Sequence, residues 1–129
     1  MVQGKMIAVY GINGIGKTTQ VERLVEFLHA QGKEASRVKY PVYDLEPEGP
    51  FIYKYLREPA FRAAHPQSTE ELQQQYAENR RRYQSELERR LATGEWIIAE
   101  DYTGTGIAWG LTWGADLKYL EAINSDLRM

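Results

Sequence analysis

The chain has 129 residues, 43% of them apolar and 26% charged, with a formal net charge of −2. These proportions fit one globular domain, and a pI near 5.7 argues against a duplex nucleic-acid binder, which carries a basic face. The absence of cysteine excludes disulfide frameworks, zinc ribbons and thiol catalysis. His29 and His65 are too few and too far apart in sequence for a histidine-rich metal site. Mean hydropathy is −0.56, and no apolar run approaches the roughly 18 residues of a membrane span. Met1 to Lys5 lack the apolar region of a signal peptide. The expectation is a cytoplasmic, single-domain protein over 1–129 with neither nucleic acid nor membrane as partner.

Met6 to Tyr10 is a short apolar run that predicts a strand buried on both faces. A glycine-rich segment from Gly11 to Gly16 follows. Val21, Leu24, Val25 and Leu28 then recur at i, i+3, i+4 and i+7, the stripe of an amphipathic helix that stops at Gly32. Ala35 to Tyr40 reads as a second strand ended by Pro41. Pro41 to Pro50 reads as a loop, Phe51 to Leu56 as a short helix, and Pro59 and Pro66 as punctuation of the next turn. Ser68 with Glu71 has the spacing of a capping box, opening a long helix to about Ala92 with Gly94 beyond it. Trp96 to Ala99 is a third strand, Thr103 to Ala108 a glycine-rich turn, and Leu117 to Leu127 a last helix. Such alternation predicts a parallel α/β sheet with helices on both faces.

The segment from Gly11 to Thr18 matches G-x-x-x-x-G-K-[ST] in full, between a buried strand and an amphipathic helix. Glycines let successive N–H groups turn inward as an anion nest, and the helix N-terminus adds donors and a positive dipole end. The candidate ATP-phosphate ligands are Gly11, Asn13, Gly14, Ile15, Gly16, Lys17, Thr18 and Thr19. Lys17 reaches the β- and γ-phosphates, and the Thr18 hydroxyl binds Mg²⁺. The plainer alternative is a glycine-rich turn that happens to precede a helix. A second glycine run, Gly104 to Gly110, is one residue too long for a dinucleotide fingerprint.

On the long helix, Leu72, Tyr76, Tyr83, Leu87 and Leu91 form a stripe into which Arg80 intrudes. A buried arginine requires a partner. Tyr76 and Arg80 are therefore candidates to stack and read a nucleobase, unless Arg80 snorkels or pairs with Glu78, Glu86 or another helix. Arg81 and Arg82 are expected to point sideways or outward into solvent. Glu100 and Asp101 lie just past the third strand, where open α/β sheets bind ligands. Side chains alternate along an extended strand, so only one of the two is expected to face the phosphate loop, and Glu100 is favoured. The alternative is a pair of exposed strand-end acids or a helix cap.

Together these segments resemble the thymidylate kinase family of P-loop nucleoside-monophosphate kinases over essentially the whole chain. Gly11 to Gln20 is similar to its phosphate loop, Tyr40 to Asp44 to its loop after the second strand, and Tyr76 to Arg80 to its base-binding segment. Glu100-Asp101-Tyr102 with Thr105 and Ala108-Trp109 resembles its Asp-Arg-Tyr signature. The resemblance implies a five-stranded parallel P-loop sheet, of which this chain is an N-terminal portion without the lid, and transfer of a phosphoryl group from ATP to dTMP. It also implies Lys17 and Glu100 as catalytic residues, and Mg²⁺ on Thr18 and, through water, Glu100. Tyr43, Tyr76, Arg80, Asp101, Thr105 and Trp109 would meet the acceptor, a small-molecule nucleotide or nucleoside. Family members are commonly homodimers, with the Tyr53–Tyr55 and Ser68–Ala92 surfaces as candidate faces. Asn13 stands where the family has an acid. The arginine that clamps the acceptor phosphate is replaced by Asp101, none stands near Val42 or Tyr43, and Ile15 supplies none from the loop. A deoxynucleoside kinase, with an uncharged 5′-hydroxyl as acceptor, and a non-catalytic nucleotide-binding module are the alternatives.

Overall fold

A computed structural model describes residues 2–128, which divide into two compact units: residues 2–40 with 84–102, and residues 41–83 with 103–128. The first holds a parallel sheet of three strands, β1 (Met6–Val9), β2 (Ala35–Lys39) and β3 (Trp96–Glu100), in the order β1-β3-β2. The last strand in sequence is thus the central one. Val9 and Lys39 flank Glu100 in register. That position accounts for the continuous apolar run of β3: Ile97, Ile98 and Ala99 are fully buried, as a strand with neighbours on both edges requires.

Helix α1 (Lys17–Ala30) lays its stripe against the sheet. Val21 and Leu28 pack with Ala35 and Ile98, and Ile7, Val9, Leu24, Val25 and Trp96 close around them. Each large aliphatic side chain so buried contributes about 1.5–3 kcal/mol, and together they hold the phosphate loop rigidly between β1 and α1.

In the second unit, α2 (Glu48–Arg57) and α3 (Pro59–Ala64) precede α4 (Thr69–Ala92), and α5 (Thr103–Thr112) and α6 (Leu117–Ile123) end the fold. Helix α4 runs on from this unit into the first. Its capping box forms as expected: the Glu71 N–H donates to Ser68 Oγ at 3.1 Å, and the Ser68 N–H donates to the Glu71 carboxylate at 2.9 Å. Two expectations are corrected. Pro59 opens the short helix α3 rather than marking a turn, since proline suits a first helical position. Thr103 to Ala108 is the first part of α5 and not a turn. Gly106 and Gly110, one helical turn apart, let other side chains come close. A Cβ at 106 would lie 2.4 Å from Arg80 Nη2, and one at 110 would lie 2.5 Å from Leu120 Cδ2.

Candidate functional site

The first unit assembles the phosphate loop. Gly14 and Gly16 have φ of 81° and 91°, left-handed values that side chains resist, and they bend the loop into the start of α1. A cavity of about 280 Å³ opens there, lined by Ile12, Asn13, Gly14, Gly16, Lys17 and Thr18 with Lys39 of β2 and Glu100 of β3. Of the other loop residues singled out by sequence, Gly11 offers its carbonyl to Lys17 Nζ at 2.8 Å. Ile15 and Thr19 are exposed and do not line the cavity.

Lys17 Nζ also donates to both carboxylate oxygens of Asp101, at 3.0 and 2.9 Å. The Thr18 hydroxyl donates to Glu100 Oε1. The expectation that only one of the adjacent acids faces the loop is therefore corrected. Asp101 has φ 67°, in the left-handed region, so the strict alternation of the strand ends at Glu100 and both carboxylates turn to the loop. Aspartate is among the few residues with side chains that enter this region readily.

Glu100 is 1% exposed. Burial pushes its carboxyl up, but the bond from Thr18, the bond from Arg37 and the nearby charges of Lys39 and Arg37 together hold it below the ordinary carboxylate value. Arg37 on β2 grips Glu100 Oε2 through Nε at 2.7 Å and through Nη2. Arg37 and Lys39 carry no motif and were not singled out in the sequence. Only the pairing of β2 with β3 brings Lys39 to the cavity and Arg37 to the Glu100 carboxylate.

Among the described residues no group of three or more histidine or acidic side chains could enclose a metal. The Thr18 hydroxyl and the Glu100 carboxylate nevertheless form a hard oxygen pair suited to Mg²⁺, which commonly takes one or two protein oxygens and leaves the rest to phosphates and water.

The second unit holds the remaining candidates. Tyr43 meets Tyr53 edge-on at 5.3 Å, and the Arg57 guanidinium lies 5.1 Å from the Tyr43 ring and 4.1 Å from that of Tyr53. Burial, reinforced by Tyr43, pushes the Tyr76 phenol up to about 12 despite the opposing charges of Arg80 and Arg57. Arg80 is buried and donates through Nη1 to Asn124 Oδ1 at 2.8 Å, while Asn124 Nδ2 donates to the Leu120 carbonyl. Asn124 lies just past α6 and offers Arg80 a neutral amide. Thr105 is half-buried and Trp109 is exposed, both on α5.

Arg81 and Arg82 are not simply solvated. Arg81 binds Asp126, Glu78 and the Ile123 carbonyl, and Arg82 Nε donates to the buried carboxylate of Glu48. Asn79, given no role by the sequence, binds the Val42 backbone twice: the Val42 N–H donates to Oδ1 at 2.7 Å, and Nδ2 donates to the Val42 carbonyl at 2.8 Å. It fixes the loop that carries Tyr43.

The thymidylate kinase family model matches residues 9–128 of this sequence. The chain belongs to the thymidylate kinase family. A thymidylate kinase of Synechococcus sp. (strain RCC307) is 32% identical over 124 residues, covering 92% of this chain and 58% of the relative. That of Burkholderia lata is 33% identical over 109 residues, covering 84% of this chain and 52% of its own length. The solved structure of thymidylate kinase from Candida albicans shares the fold, with a TM-score of 0.73 at 22% identity over 95% of this chain and 55% of that one. The chain thus spans a little over half the length of these relatives. Its three strands form an incomplete version of the family sheet, against the five that the resemblance implies. Among the described residues no helix is long and apolar enough to cross a membrane.

Proposed function

We propose that the protein transfers the γ-phosphoryl group of ATP to dTMP, giving dTDP and ADP. The observation that carries this reading is the cavity at the phosphate loop, where Lys17, Thr18, Lys39 and Glu100 meet around a nest of glycine N–H groups. Lys17 neutralises charge on the transferred group. The loop N–H groups from Gly14 to Thr19 cradle the phosphates, and Thr18 with Glu100 would hold Mg²⁺, which supplies Lewis-acid polarisation of the phosphoryl oxygens when bound. Tyr76 and Arg80 hold the acceptor base, with Tyr43, Thr105 and Trp109 closing round it. The protein's own work is positioning and electrostatics, because phosphoryl transfer requires little covalent help.

A bare carboxylate at position 101 would repel a phosphate dianion and favour an uncharged nucleoside acceptor. Asp101 is paired with Lys17 only while that lysine is not given to the ATP phosphates, so the choice of dTMP over thymidine rests on the similarity to thymidylate kinases. An ATP-coupled assay offering dTMP and thymidine side by side, with Lys17→Ala as control, tests the reading. The expected result is turnover of dTMP that Lys17→Ala abolishes. Preference for thymidine would replace this reading with a deoxynucleoside kinase. Nucleotide binding without turnover of either would leave a binding module.

A further inference from the structure

Lys39 is the last residue of β2 and lines the cavity at the phosphate loop. The two-residue repeat of a strand puts it on the same face as Arg37, and register sets it beside Glu100. The charges around the cavity are otherwise matched: Lys17 with Asp101, and Arg37 with Glu100. Among the described residues Lys39 makes no hydrogen bond and no ion pair, so its ammonium is the surplus positive charge at the mouth of an anion nest. The loop offers no further cation of its own, because Ile12, Asn13, Gly14 and Ile15 fill its four variable positions.

We propose that Lys39 is a phosphate-directed residue, donating to the terminal phosphate of a bound nucleoside triphosphate from the β2 side. The inference rests on the phosphate-cavity reading above and adds a second cation to it. A lysine suits the task because it is a point charge on a flexible four-carbon stem, able to follow a group whose oxygens move during transfer. Charge-assisted bonds to phosphate are about twice as strong as neutral ones. Charge spread over the three equatorial oxygens of the transferred group gives Lys39 a partner through the transition state. The competing role, tuning Glu100 alone, would act through the metal and would not distinguish the terminal phosphate from the others.

The test measures MgATP and MgADP affinities of the whole chain by displacement of a fluorescent ADP analogue, for the wild type, Lys39→Met, Lys39→Arg and Lys17→Ala. The expected result is a weakening of MgATP by about tenfold in Lys39→Met, with MgADP changed by less than about twofold. Lys39→Arg should recover most of the loss, Lys17→Ala should lose both nucleotides, and Lys39→Met should melt with the wild type. Equal weakening of MgATP and MgADP, or an unchanged MgATP affinity, overturns the role of Lys39 while leaving the cavity reading intact. A wild type that binds neither nucleotide overturns both.

Discussion

Lys17 and Asp101 are bonded to each other, 84 residues apart in sequence, with side chains only 7% and 13% exposed. A lysine so enclosed needs an anion, and Asp101 is that anion. Removing one member of a buried pair leaves an uncompensated charge. Here the Gly11 carbonyl still accepts from Lys17, so Asp101→Asn should lower the unfolding free energy by about 2 kcal/mol, below the full cost of an orphaned ion. Asn tolerates the left-handed backbone of position 101 and Ala does not, so Asp101→Ala should lose about a further 1 kcal/mol. A phosphate would supply the missing anion. MgATP should therefore raise the melting temperature of Asp101→Asn more than that of the wild type. Equal ligand-induced shifts, read by thermal scans with and without MgATP, would show that Asp101 and phosphate do not compete for Lys17.

Asn79 is fully buried, and among the described residues its side chain bonds only the backbone of Val42. Asn79→Leu keeps roughly the volume and strands the Val42 N–H, while the Val42 carbonyl keeps the Leu45 N–H at 3.3 Å. With an unsatisfied buried group costing about 1–3 kcal/mol, we expect a loss of about 1–3 kcal/mol in denaturant unfolding. The Tyr43 loop should also become more open to protease. A variant as stable and as resistant as the wild type would mean that Val42 finds other partners.

The local features of this fold were legible in the sequence because they are decided by neighbours. The phosphate loop, the α1 stripe and the Ser68–Glu71 capping box each lie within a few turns of chain. Three features were not legible, for separate reasons. Gly104, Gly106 and Gly110 score as turn formers, but Gly106 and Gly110 share one face of α5, where their missing side chains make room for Arg80 and Leu120. Arg37 and Lys39 carry no local signal, and only the non-local pairing of β2 with β3 brings them to Glu100. Strand alternation alone points Asp101 away from the loop, and its positive φ cancels that alternation.

Gly49 opens α2 against the Tyr43 loop, and a Cβ there would lie 2.4 Å from the Tyr43 carbonyl oxygen and 2.6 Å from that of Val42. Both obstacles are backbone and cannot rotate away. The ~1 kcal/mol that alanine gains over glycine within a helix is outweighed by overpacking, so Gly49→Ala should be destabilised by about 1–3 kcal/mol net. Calorimetric melting of this variant beside Gly32→Asn provides the check. Gly32, with φ 77° and open space around its Cα, should lose less with a residue that tolerates left-handed geometry. The reverse order of melting temperatures would overturn the steric argument.

Stability should also fall in acid, with an identifiable origin in the first unit. The Glu95 carboxyl is held below its ordinary value mainly by Arg90, whose Nε donates at 2.8 Å, with help from the Ser36 hydroxyl at 2.6 Å. Glu100 is held down by Thr18, Arg37 and Lys39 against the opposing effect of its burial. For a carboxyl depressed in the folded state, the unfolded chain takes up protons first as pH falls. The stabilisation is therefore complete above the unfolded value of about 4.3 and is lost as pH drops through the lower folded value. Unfolding free energies measured between about pH 6 and pH 3 should be flat at first and then decline. Glu95→Gln, which lies outside the phosphate cavity, should start less stable at neutral pH and decline less steeply. A slope identical to that of the wild type would assign the acid sensitivity to other carboxylates.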